Sequence, residues 1–130
     1  CQVNLLMGRA CGDVAIPSLT GSAVKRMWSL AFVGLTDYWE LSICLWHAMF
    51  GGRCLPGEFG NNRLGKEHVA KQPYNVSALD SLLPVDNELY NAAKHRFVRD
   101  MQKYEVSPRL CARVYCPEAA SAFPSDMPLP

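Results

Sequence analysis

The sequence lacks a long apolar run, and it has almost no excess of charge of either sign. Its longest mostly apolar stretch, residues 39–50, contains Glu40, Ser42 and His47 and is too short to span a bilayer. Thirteen basic residues stand against twelve acidic ones among 130, so the strong basic excess that is typical of nucleic-acid-binding proteins is missing. We therefore expect no nucleic-acid partner and no membrane span within these residues.

Signals of a natural start are also missing from the beginning of the chain. It opens on Cys1 rather than Met, and no basic segment followed by an apolar run stands near it, as a signal peptide requires. We therefore expect these residues to be a portion of a longer protein.

The six cysteines lack the spacing of a zinc site. No C-x-x-C occurs, and Cys111 and Cys116 have no second pair and no histidine nearby. An even number of cysteines fits a lumenal or secreted protein with disulfides, but it leaves the pairing open. Cys44 lies inside an apolar helix and is predicted to be a buried free thiol. The N-glycosylation sequon Asn75-Val76-Ser77 also fits a lumenal protein.

The spacing of apolar residues predicts three helices, at residues 19–30, 37–50 and 86–104, and one buried parallel strand at 31–35. Thr36 is placed to cap the second helix, and Gly51-Gly52 is placed to end it. This order of elements indicates an α/β unit. Because one strand cannot make a sheet, we expect further strands outside this chain or hidden at residues 3–7 or 113–115.

The helix patterns predict which faces are buried. The helix at 37–50 is apolar nearly all round, which predicts that it is buried inside something larger. Its three-turn stripe is Trp39, Ile43, Trp46 and Phe50, and the tryptophans of the chain are predicted to be core residues. The last helix is predicted to turn inward the residues Tyr90, Ala93, Phe97, Met101 and Tyr104. It is predicted to turn outward the residues Lys94, Arg96, Arg99 and Lys103.

Glycine and proline divide the chain unevenly. All nine glycines lie at or before Gly65, and several of them mark a long connection at residues 51–85. Five of the nine prolines follow Ser107. We therefore divide the chain into a domain portion at 1–107 and a Pro-rich, poorly ordered tail at 108–130, with poor packing expected from Ala119 onward.

Four segments occur in an order that resembles one enzyme family. They are C-Q-x-x-x-L-x-G at residues 1–8, F-V-G-L-T-D-Y-W-E-L-S-I-C-L at 32–45, E-F-G-N-N-R at 58–63 and D-N-E-L-Y at 86–90. The pattern is similar to the C-terminal part of the sulfotransferase branch related to heparan sulfate and uronyl 2-O-sulfotransferases, which includes algal and protist members. The resemblance covers residues 1–104.

The resemblance implies a fold, an activity and a location. The fold is α/β of the P-loop type, a parallel sheet flanked by helices, and this chain is its helix-rich C-terminal portion. The activity is transfer of a sulfuryl group from 3′-phosphoadenosine 5′-phosphosulfate to a hydroxyl of a carbohydrate or glycosaminoglycan-like acceptor, with no metal ion. Such enzymes are typically type II membrane proteins of the Golgi lumen. The anchor, the phosphosulfate loop and the catalytic base are then expected before Cys1, and this portion alone is expected to be inactive.

The resemblance also implies nucleotide-phosphate contacts in the loop after the second helix. Arg63 is the first candidate, and Lys66, Lys71 and Asn62 follow. A guanidinium can bind phosphate through two parallel hydrogen bonds, and an ammonium supplies a point charge. No catalytic residue is assigned. Without the resemblance, the same residues are typical of a solvated loop.

A second hypothesis comes from the cysteines. It is a non-enzymatic lumenal or extracellular domain, held together by disulfides, that binds a glycan or a protein. A third is a sulfotransferase relative that has kept the fold without catalysis. His47 is interpreted as a core or helix-end residue rather than a general base, and His68 and His95 as surface residues.

Overall fold

The computed structural model of the chain describes residues 1–60 and 84–130, and its regular structure is helical. The α-helices are α1 (Gln2–Leu6), α2 (Thr20–Ser29), α3 (Trp39–Phe50), α4 (Pro84–Lys103) and α5 (Pro108–Leu110). Helix α5 continues into a π-helical turn at Cys111–Tyr115, and 3-10 turns lie at Pro17–Leu19, Thr36–Tyr38, Pro56–Phe59 and Pro117–Ala122. No strand occurs in these two ranges, so the predicted α/β fold with a parallel sheet is wrong for them.

Residues 31–35, predicted to be a buried strand, pair with no strand in the described part, although the residues at the two ends of this segment have extended backbone angles. Leu30 has φ −66° and ψ 144°, and Leu35 has φ −118° and ψ 131°, both in the extended region. A sheet needs a second backbone alongside. The two other places where a strand was expected are helical, since Gln2–Leu6 forms α1 and Cys111–Tyr115 forms the π-helical turn.

The three predicted helices are present close to their predicted bounds, as α2, α3 and α4. Helix α3 begins at Trp39 because Thr36–Tyr38 forms a 3-10 turn, and no side chain caps its start, so Thr36 is not the cap. It ends as predicted at Gly51, whose φ of 73° lies in the left-handed region that favours glycine. None of the helices that the structure describes is both long and apolar enough to cross a membrane.

Two apolar clusters are joined by α4. The main cluster packs one side of α3 against α4 and residues 106–123, and it includes Leu41, Leu45 and Phe97. The second cluster packs α1 and α2 against the start of α4, around Leu89. Since Leu89 and Phe97 lie roughly two turns apart on one helix, α4 anchors both clusters.

All six cysteines form disulfides, and these are Cys1–Cys11, Cys44–Cys111 and Cys54–Cys116. The second and third join α3 and the loop after it to the π-helical turn. Cys44 is fully buried but bonded, so its interpretation as a free thiol is wrong. Its partner lies 67 residues away, which is why local pattern could not reveal the bond.

The C-terminal residues pack more closely than their composition predicts. Ala119 and Phe123 are buried in the main cluster, and Phe59 meets Phe123 edge to face with ring centroids 5.4 Å apart. The poor packing expected from Ala119 onward is therefore wrong for these side chains. The disulfide at Cys116 holds this segment against the loop that follows α3.

Arg96 is buried instead of facing solvent. Its guanidinium donates to the carboxylate of Asp100 and to the carbonyl oxygens of Trp28 and Leu30, at 2.8 and 3.2 Å. Arg96 and Asp100 are only 6% and 3% exposed. The pair thus ties the end of α2, and the beginning of the extended segment 31–35, to α4.

Candidate functional site

Helix α3 exposes an aromatic face. Trp39 is 46% exposed, Trp46 46% and Phe50 49%, whereas Leu41 and Leu45 on the opposite side are buried in the main cluster. The prediction that these tryptophans are core residues is wrong, because the described residues cover only one side of α3. Soluble proteins rarely leave large apolar side chains grouped in this way unless the patch contacts something.

A groove of about 270 Å³ runs along this face. The residues that line it are Phe32, Gly34, Leu35, Thr36, Trp39, Ser42, Ile43 and Trp46. The ring of Trp46 lies edge to face with Phe32, with centroids 5.3 Å apart, and its centroid is 4.5 Å from that of Phe50. Trp39 is fixed by its indole N–H, which donates to the backbone carbonyl of Glu58 at 3.3 Å. Both tryptophans are therefore held in place while nearly half of each stays exposed.

One wall of the groove is formed by residues 31–35, which hydrogen bonds between Leu35 and Ser42 hold against α3. The Ser42 hydroxyl accepts a hydrogen bond from the N–H of Leu35 and donates one to its carbonyl, both at 2.9 Å. A Cβ at Gly34 would lie 2.9 Å from a ring carbon of Phe32 and 3.1 Å from the Cβ of Ser42. A larger residue at position 34 would therefore require the Phe32 ring to shift and Ser42 to give way, and glycine lets the segment lie this close to the helix without either change.

The groove is suited to apolar groups and not to anions. Among the described residues, no charged side chain lines it, and the Ser42 hydroxyl is buried and already bonded to the backbone. Thr36 is the other polar side chain in the lining. Phosphate and sugar ligands need several donors or charges, whereas apolar side chains need only the aromatic surface. The arrangement can bind, but it holds no group placed for acid–base or nucleophilic chemistry.

A second cluster lies at the other end of α3, around His47. Its Nε2 is 2.8 Å from Glu58 Oε2, and its Nδ1 is 3.2 Å from the carbonyl oxygen of Gly51. The N–H of Leu55 donates to the other oxygen of Glu58 at 2.8 Å. The bonds from Leu55 and then from His47 hold the pKa of Glu58 below its ordinary value of 4.5. His47 thus bonds to the backbone at the end of α3, which agrees with its interpretation as a core or helix-end residue.

Metal binding does not fit this cluster as it stands. Ligand atoms of His47, Cys54 and Glu58 lie within 4.8 Å of one another, but the sulfur of Cys54 is bonded to Cys116 and offers no thiolate. Both ring nitrogens of His47 already face oxygen atoms. The cluster is a structural one, which connects the end of α3 to the turn at Pro56–Phe59.

Tyr90, predicted to face inward on α4, is instead 40% exposed and reaches Asp37. Its hydroxyl donates to Asp37 Oδ2 at 2.6 Å. This bond, with some desolvation and the charge of the carboxylate, raises the pKa of Tyr90 to about 12. The contact links α4 to the turn that precedes α3.

The basic residues of α4 do not form a free charged row. Lys94, Arg99 and Lys103 each lie over an aromatic ring. The distance from cation to ring centroid is 5.6 Å for Lys94 over Tyr38, 4.5 Å for Arg99 over Trp28 and 4.9 Å for Lys103 over Tyr104. Arg96, the fourth, is buried as described above. Cation–π contacts of this kind contribute about 0.5–1 kcal/mol at exposed sites. Packing therefore accounts for the positions of these four side chains, and the prediction that they face outward is wrong for Arg96.

The residues assigned to nucleotide phosphates lie outside the described ranges. They are Asn62, Arg63, Lys66 and Lys71, and His68 of the same loop lies outside as well. The groove on α3 was missed because its tryptophans repeat at helical spacing and were interpreted as core. The usable signal was residue type, since tryptophan is typical of surfaces that are apolar on one side and wet on the other.

Comparison with protein-family models, with curated proteins and with solved structures found no match. The resemblance to sulfotransferases therefore rests on the quoted segments alone. Within the longest of them, Gly34 and Ser42 have a packing explanation in this structure, because they seat residues 31–35 on α3.

Proposed function

We propose that this chain is a disulfide-stapled helical domain of an oxidising compartment that binds an apolar segment of another polypeptide in the groove on α3. The observation that carries the proposal is the exposed aromatic face of α3, with Trp39 and Trp46 fixed in place along a groove whose lining, in the part of the chain that the structure describes, includes no charged side chain.

The disulfides support both parts of this proposal. Pairing of all six cysteines is typical of secreted or lumenal proteins, because the cytosol keeps thiols reduced. Two of the bridges hold the inner side of α3 and the loop after it to the C-terminal segment. The outer aromatic face is therefore presented by a rigid helix, which lowers the ordering cost of binding.

A polypeptide partner is favoured over a glycan by the lining of the groove. Sugar recognition combines a stacked ring with a set of hydrogen-bonding side chains. Here Thr36 offers a hydroxyl, but that of Ser42 is used internally. Aromatic residues grouped in a pocket are instead the typical anchors of protein–protein contacts.

The test measures binding of the oxidised chain to an immobilised array of random twelve-residue peptides and to an array of sulfated and unsulfated oligosaccharides. We expect retention by peptides rich in apolar side chains, and at least about a tenfold loss of affinity in Trp46→Ser, as for a buried aromatic anchor. The matched control is Val114→Ser, which removes an apolar side chain that is 59% exposed on the π-helical turn.

Two results contradict the proposal. One is peptide binding that Trp46→Ser and Val114→Ser weaken equally, because the groove would then have no special role. The other is binding to oligosaccharides without binding to peptides, which would favour the glycan alternative.

A second proposal keeps the sulfotransferase hypothesis, and the order of the four resembling segments is what favours it. In it, the chain is a portion of a Golgi-lumenal enzyme that uses 3′-phosphoadenosine 5′-phosphosulfate and a carbohydrate acceptor. Arg63, Lys66, Lys71 and Asn62 contact the nucleotide phosphates, and the catalytic base lies outside the sequence. The disulfides agree with the same compartment.

Titration of the chain with adenosine 3′,5′-bisphosphate tests this second proposal. We expect Arg63→Ala to weaken binding at least about tenfold, as for loss of a bidentate phosphate contact, and Lys25→Ala on the exposed side of α2 to leave it unchanged. Equal affinity of Arg63→Ala and wild type would remove the assigned contacts. Absence of binding by the wild-type chain would remove them as an independent nucleotide site.

A further inference from the structure

The backbone beside the groove has hydrogen-bonding groups that the described residues do not use. Leu30 accepts a bond from Arg96, and Leu35 is bonded through both its N–H and its carbonyl to Ser42. Between these two fixed ends, the N–H and C=O groups of residues 31–34 make no hydrogen bond within residues 1–60 and 84–130.

The side chains of residues 32–34 alternate as they do in a strand. Phe32 and Gly34 line the groove, whereas Val33 between them is only 8% exposed and packs in the second apolar cluster; Leu35, which follows, also lines the groove and ends the alternation. A period of two is the mark of a strand with distinct faces. Backbone groups of such a segment lie along its edges, where a second strand can meet them.

We propose that the occupant of the groove is an extended strand of a partner polypeptide, which pairs with the backbone of residues 31–34 and lays alternate apolar side chains on Trp39, Ile43 and Trp46. This inference rests on the proposed polypeptide-binding function and specifies its mode. Strand addition of this kind gains affinity from main-chain hydrogen bonds and specificity from the pockets beneath alternate side chains.

Three observations favour an extended partner over a helical one. Leu30 and Leu35, at the two ends of the segment, have extended backbone angles and are held by hydrogen bonds, so pairing adds little ordering cost. Gly34 is exposed and carries no side chain that would keep a second backbone away. A partner helix would fill the groove but leave the donors and acceptors of residues 31–34 without partners among the described residues, which is costly once water is excluded.

The experiment uses the best-binding peptide from the array and two N-methylated versions of it. In each version, alternate backbone nitrogens are methylated, in one register or the other, while every side chain is kept. We expect one register to lose at least about tenfold in affinity, because two N–H donors of ordinary strength are removed, and the other register to stay within about twofold. Amide hydrogen exchange at residues 31–34 should slow at least about tenfold when the unmodified peptide is bound.

The outcomes separate this inference from the proposed function. If Trp46→Ser abolishes peptide binding but neither methylated register loses affinity, the groove binds polypeptides and strand pairing is overturned. If the peptides bind independently of Trp46, the proposed function fails first. If the free chain sediments as a dimer that the peptide dissociates, the occupant is a second copy, and the assignment to a partner polypeptide is overturned.

Discussion

Removing the Cys44–Cys111 disulfide should cost about 3 kcal/mol of the free energy of unfolding. With this bridge alone, the closed loop spans 67 residues, and its loss would release ~4 kcal/mol of loop-closure entropy. The Cys54–Cys116 bridge lowers that figure, because it already holds the two segments together in the unfolded chain. The additional loop then runs only from Cys44 to Cys54 and from Cys111 to Cys116, about 15 residues in all, which corresponds to ~3 kcal/mol.

The assay is guanidinium unfolding of the double variant Cys44→Ala/Cys111→Ala under oxidising conditions, followed by tryptophan fluorescence. Both sulfurs are fully buried, so their loss adds a packing cost to the entropic one. The denaturant slope should also increase, because a less constrained unfolded chain exposes more surface. As a comparison, Cys1→Ala/Cys11→Ala removes a bridge of separation 10 and should cost ~2.7 kcal/mol.

A loss below about 1 kcal/mol with an unchanged denaturant slope would refute this reasoning, since the bridge would then barely constrain the unfolded chain.

Removal of both long-range bridges provides a further check. The second removal should cost more than the first, ~4 instead of ~3 kcal/mol, because no other link closes the chain once the first is gone. The free energy of unfolding of a small domain is only about 5–15 kcal/mol, so the variant that lacks both bridges is expected to be largely unfolded.

Three further predictions concern charged and polar pairs. Because bonds from the N–H of Leu55 and from His47 depress the folded pKa of Glu58, they stabilise the fold above pH 4.5 and are lost as pH falls from there through the folded pKa, and Glu58→Gln should flatten the acid limb of a thermal-denaturation profile; an unchanged limb contradicts this. Arg96→Met removes the close partner of the buried Asp100 and leaves it the more distant, exposed Arg99, whose guanidinium is 3.7 Å from its other oxygen, so it should cost about 3 kcal/mol in chemical denaturation, with much of it regained in Arg96→Met/Asp100→Leu; a double variant as unstable as the single one argues against the poorly compensated charge as the cause. Ultraviolet titration should show one phenol ionising near pH 12 that Tyr90→Phe removes, and persistence of that transition would exclude Tyr90 as its source.

The local sequence pattern was sufficient to predict the helices and to interpret His47 as a helix-end residue. The apolar spacing in α2, α3 and α4 is set by contacts within a few turns, so it can be seen in sequence. The end of α3 at Gly51 follows from the conformational freedom of glycine alone. His47 lies in the last turn of α3, where a histidine commonly meets free carbonyl groups, and it does so here.

Contacts between residues far apart in the sequence decide the features that the local sequence pattern could not reveal. Residues 31–35 were predicted to be a buried parallel strand, which is wrong, because a sheet depends on a second strand that the described ranges do not contain. Similarly, Trp39 and Trp46 have the spacing of core residues, and only the position of neighbouring elements leaves them exposed. The tail was misjudged because two cysteines in it bond to α3 and the loop that follows, a constraint that proline content hides.

The two long-range disulfides also make the chain a covalent ring. Cys44 and Cys54 lie on one side of residues 61–83, and Cys111 and Cys116 lie on the other. A protease that cuts one peptide bond between Cys54 and Cys111 therefore leaves two polypeptides joined by both bridges. Such a nicked molecule keeps its mass under non-reducing conditions and separates into two fragments when reduced. A single cut in this part of the chain therefore cannot separate the two fragments unless a reductant is present.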